Sequence, residues 1–138
     1  MMKLYCALLA ALALGSASAA SAATPDQVGT WVGSLKSKVR TPSGITSVKN
    51  AMQIEIAADD TTTVTLDGVV QLPYGVGYTA GEGIIVYADA SAAPNISIVY
   101  AAAHFNGTKV KGATSGITVG PGSVLLETLS GKFSLKKQ

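Results

Sequence analysis

From Val28 onward the apolar residues of this chain recur at every second position, and that period allows little except strands with one buried face. Trp31, Leu35 and Val39 alternate with Thr30, Lys36 and Lys38. Val48, Met52, Ile54 and Ile56 alternate with Lys49, Gln53 and Glu55. Val64 and Leu66 follow, and Val70, Leu72, Tyr74, Val76 and Tyr78 continue one parity through the next segment. No segment after the first 22 residues shows the apolar stripe of an amphipathic helix, so the expected class is all-β.

Turn residues fall between these runs where hairpins need them. Asp67-Gly68 and Asn106-Gly107 are the sharpest, because both residue types tolerate the positive φ of a two-residue hairpin. The spacing predicts about eight strands, roughly 28–40, 47–57, 62–67, 69–79, 83–90, 95–106, 108–118 and 123–136. Consecutive hairpins predict a single antiparallel, mostly up-and-down β-barrel or closed sandwich. An eight-stranded barrel is just wide enough to be filled by side chains or to hold one small ligand. Two segments depart from plain alternation. Residues 96–105 are apolar on both faces, as in a covered central strand or an oligomer contact. The last strand changes parity between Glu127 and Leu129, where a bulge restores the inward face.

The start of the chain reads as an export signal. Met1-Met2-Lys3 precedes an apolar stretch, Leu4 to Leu14, that is too short to span a bilayer, and small residues follow at 17–22. The expected division is a signal peptide at 1–22, cleaved near 19–23, and one barrel domain at 23–138, secreted or periplasmic. Cys6 leaves with the signal, so the mature chain is disulfide-free and is held by packing alone. Its length is enough for a self-sufficient core. Without Lys3 the ten basic residues become nine, against eight acidic ones, and they are spread without blocks. No patch for nucleic acid or anionic lipid is visible along the chain, and no later apolar run is long enough for a membrane helix.

Gly29-Thr30-Trp31 at the head of the first strand, the succession of hairpins and the closing Gly131-Lys132-Phe133-Ser134-Leu135-Lys136 resemble the calycin group of lipocalins and avidins. The resemblance implies a small secreted barrel. Avidin-like biotin sites use several tryptophans, and none follows Trp31, so biotin binding is not carried over. Lipocalins lay an arginine from a late strand across the tryptophan. The only arginine here is Arg40, at the end of strand one, and Lys132 is the expected substitute over the Trp31 ring.

Chemistry for catalysis is thin. His104 is the single histidine and has no cysteine or histidine partner for zinc, and no Gly-x-Ser-x-Gly elbow occurs. Asp59-Asp60 lacks the spaced pattern of a calcium loop, and the Gly-rich run 75–83 does not lead into a helix. No catalytic residue, metal or cofactor is therefore assigned, and the chain is read as no enzyme. Trp31, Tyr74, Tyr78, Tyr87 and Tyr100 are the candidate ligand-binding residues, amphipathic rings suited to a small ligand. Trp31, Leu35, Met52, Ile54, Tyr74, Val86 and Tyr100 are expected inside. The expected function is binding of a small apolar ligand or a protein partner. The alternative is a structural or assembly protein of the envelope that forms a homo-oligomer through strand 96–105. An outer-membrane barrel ranks last, since Lys36, Lys38, Lys49, Gln53 and Glu55 point outward and lipid does not tolerate them at mid-depth.

Overall fold

A computed structural model of the chain describes residues 23–90 and 93–138, and the segment 1–22, expected to be a signal peptide, lies outside them. Nine strands form one sheet: β1 (Gly29–Thr41), β2 (Gly44–Ile56), β3 (Thr62–Leu66), β4 (Val69–Val70), β5 (Leu72–Thr79), β6 (Glu82–Asp89), β7 (Ile96–Asn106), β8 (Lys109–Gly120) and β9 (Val124–Lys137). Their order is β4-β3-β2-β1-β9-β8-β7-β6-β5, every pair antiparallel. Apart from the pairing of the first strand with the last, and from β4 and β5, which are the two edges of the sheet, each strand neighbours the next in sequence. This is the up-and-down meander that short turns favour.

The sheet curls until its two edges meet, making a nearly closed barrel. The seam between β3 and β5 is not a full ladder. It is bridged by Gln71 N–H donating to the Val64 carbonyl at 2.8 Å and by a short hydrogen bond between the Tyr78 and Thr62 hydroxyls. Thr62 in turn donates to the Asp60 carbonyl at 3.1 Å, so Tyr78 is the donor to Thr62.

Strand parity then decides what is inside. Odd positions of β1, β6, β7 and most of β9 face inward, as do even positions of β2, β3 and β8. Trp31, Leu35, Met52 and Ile54 belong to the buried core, as expected. Two interior assignments are corrected. Tyr74 is 59% exposed, because β5 carries a register shift between Pro73 and Gly75 that takes Tyr74 out of the alternation. Tyr100 has the opposite parity to buried Val99 and Ala101, and it sits half-buried on the outer face. Val86 is buried as expected, between Ile85 and Tyr87 of the core cluster. The predicted strand 69–79 is also broken at Gln71 into β4 and β5.

The bulge in the last strand is real and falls slightly earlier than the parity change suggests. Thr118 pairs with Glu127 but Val119 with Leu125, which leaves Leu126 as the extra residue. Leu129, Phe133 and Leu135 regain the inward face, where Phe133 and Leu135 are buried.

Candidate functional site: a barrel closed at one end and open at the other

The barrel has two unlike ends. Trp31, Ile54, Phe105, Val110 and Leu135 pack together at one end, and outside them Gln27, Gly81, Thr108 and Lys137 line a hollow of about 400 Å³. The Trp31 ring meets Phe105 edge to face, with centroids 5.2 Å apart and planes at 71°, a favoured aromatic geometry. Its Nε1–H donates to the Gln27 carbonyl at 3.0 Å. Lys137, not the expected Lys132, lies over the indole, with its Nζ 5.3 Å from the ring centroid. Lys132 has the outward parity of β9 and pairs with Lys36, so it cannot reach the ring.

The turn before β1 seals this end. The Gln27 side chain is 1% exposed; its amide accepts from Thr24 N–H at 2.8 Å and donates to the carbonyls of Thr79, at 2.8 Å, and Glu82, at 3.2 Å. One glutamine thereby ties the entry of the chain to the β5–β6 hairpin across the barrel. A buried amide with its hydrogen bonds made is stable there, and one without them is not.

At the other end the side chains shrink and a cavity of about 290 Å³ opens. Its apolar wall is Leu35, Val39, Leu66, Val99 and Leu129. Its polar wall includes Asn50, Asp67, Gln71, Tyr87, Asp89 and Thr114. At roughly 30 Å³ per water in the liquid, the space matches about ten waters, or one small organic molecule. The β2–β3 ladder stops at Met52, so residues 44–50 of β2 have no strand on that side and the cup also opens laterally.

Two features give the cup a chemical character. Gln71 is 4% exposed; its Nε2 donates to the Val69 carbonyl at 3.0 Å, yet its Oε1 is buried with no protein partner. An unmet buried acceptor costs about 1–3 kcal/mol. Asp67 and Asp89 line the same space, and among the described residues no lysine or arginine does. Asp67 accepts from the Asn50 amide at 2.7 Å and the Ala51 N–H at 2.8 Å, and these bonds hold its carboxyl below the usual range. Tyr87 is pushed above the ordinary phenol range by burial and, secondly, by the Asp89 charge.

The ligand-binding candidates expected from sequence are thus divided. Tyr87 lines the cup, Trp31 and Tyr78 belong to the packed end, and Tyr74 and Tyr100 lie outside. Sequence reasoning passed over two buried glutamines, Gln71 in the wall of the cup and Gln27 at the opposite, sealed end. The one signal for Gln71 was a polar residue amid Val69, Val70 and Leu72. His104 sits at the closed end, 3.8 Å from Glu82, with both side chains largely exposed. Among the described residues no group of three metal-ligating side chains converges, and no helix is long and apolar enough to cross a membrane. No family model matches the chain, and neither does any curated protein or solved structure.

Proposed function

We propose that this chain is an exported, non-enzymatic binding protein of calycin-like build that holds one small molecule in its open cup. The observation that carries this reading is the asymmetry of the interior, packed solid around Trp31 and hollow around Leu129. Such a concave, mostly apolar space with a few convergent polar groups is the usual form of a small-ligand site. The polar groups narrow the ligand class. Gln71 Oε1 seeks a donor, and the Asp67 and Asp89 carboxylates favour a neutral or cationic head over an anionic one. A ligand with a compact apolar body and an amine or hydroxyl head satisfies both walls.

Calorimetric titration of the mature chain with 2-phenylethylamine, 2-phenylethanol and 3-phenylpropanoate tests this. The amine is expected to bind at least tenfold more tightly than the acid, and Leu129→Trp, which fills the cup, is expected to abolish binding. If none of the three binds, the carrier reading fails. If all bind equally and Leu129→Trp has no effect, the cup is not the site.

A second reading is assembly through β7, on whose outer face Ile98 and Tyr100 are half-buried beside Ile117 and Val86. Native mass spectrometry separates the two: a monomer carrying a small mass supports the carrier, and a stable empty oligomer supports assembly.

A further inference from the structure

The hairpins at the mouth of the cup share a property that their positions in sequence conceal. Ile45, Val70, Leu72, Ile96, Val124 and Leu125 come from four separate connections, are 36–61% exposed, and all lie at the open end. Among the described residues, Val32 is the only strongly exposed large apolar side chain in the closed half. Single exposed apolar residues are ordinary, but a ring of them around one opening is not.

Charge follows the same axis. Lys36, Lys38 and Arg40 alternate outward along β1 toward the mouth, and Lys36 stands in register with Lys49 on one side and Lys132 on the other. Cations that are scattered along the chain therefore stand together on one wall beneath the apolar rim. The closed end is mixed instead, with Asp26, Glu55, Asp59, Asp60 and Glu82 offsetting Lys109, Lys111, Lys136 and Lys137. Among the described residues the carboxylates of the open half are Asp67 and Asp89, which line the cup, and Glu127, to which Thr118 donates at 3.4 Å.

We infer that the open end docks on an anionic lipid bilayer, with the apolar rim entering the headgroup boundary and the basic wall of β1 and β2 facing lipid phosphates. Apolar insertion beside basic side chains is how peripheral proteins hold such surfaces, and each cation near the surface adds to the attraction. A second copy fits less well, because rim-to-rim contact brings two sets of Lys38 and Arg40 into one layer. The orientation turns the cup mouth to the membrane and the five carboxylates of the closed end away from it. The inference holds whether or not the cup carries a ligand.

Flotation of the mature chain with vesicles of phosphatidylcholine alone, and with a third replaced by phosphatidylglycerol, tests it. Binding is expected only to the anionic vesicles. It should fall at least tenfold in Val70→Asp/Val124→Asp and in Lys38→Glu/Arg40→Glu, and stay unchanged in Lys109→Glu/Lys111→Glu at the far end. All these positions are exposed, and circular dichroism confirms the fold of each variant. Failure to float, equal flotation with both vesicle types, or equal loss in the far-end variant overturns the proposal. So does a dimer that the rim variants dissociate while flotation stays the same.

Discussion

Tyr78 shows how a single side chain is given its role by surroundings that lie far away in sequence. It is 1% exposed, at the seam of the barrel, and burial pushes its phenol up to about 12, with the Thr62 bond opposing and the Asp60 charge adding to the effect. The proton is therefore held more tightly in the folded chain than in the unfolded one, where the ordinary value is 10.0. The stability that follows from this is whole below the unfolded value and is lost as pH rises through about 12. Tyr87 acts in the same direction. Absorbance titration should show late-ionising phenols whose appearance coincides with alkaline unfolding, and Tyr78→Phe should remove one of them. If Tyr78→Phe leaves the late phase at full amplitude, Tyr78 is not among them. Nothing near Tyr78 in sequence marks it off from Tyr74. The register shift between the two is what separates them.

At the scale of strands, alternation and turn chemistry made most of the architecture legible. Each predicted run corresponds to one observed strand apart from 69–79, which Gln71 divides. Register was less legible, because a bulge moves every later side chain to the other face without altering composition. Close packing between strands was not legible at all. A Cβ placed on Gly112 would meet the Ala102 carbonyl oxygen at 2.2 Å and the Phe133 ring at 2.2 Å, so β7, β8 and β9 fit together only around a bare Cα. Gly75 has open space at the same place. Gly112→Ala is expected to cost at least ~3 kcal/mol in chemical denaturation, whereas Gly75→Ala should stay within about 0.5 kcal/mol. Similar midpoints for the two variants would contradict the register of β8 on β9.

The whole molecule is built unevenly, with its tight packing at one end and its hollow at the other. Met52, 1% exposed in the packed half, should lose ~2–5 kcal/mol on truncation to alanine, because neighbours close in only partly around the cavity it leaves. Val39 already borders the cup, and Val39→Ala should cost under about 1 kcal/mol. Equal losses, measured by urea unfolding of both variants, would mean that the open half is packed as tightly as the closed one. The period of two, the turn residues and the lone Trp31 were enough to determine an all-strand meander with an apolar inner face, since those patterns depend only on neighbours along the chain. Which end closes, that Lys137 and not Lys132 covers the indole, that Gln71 is left with an unmet acceptor and that scattered lysines share one wall were decided by tertiary structure. Each depends on shear, bulges and curvature, which bring together residues that the chain keeps tens of positions apart.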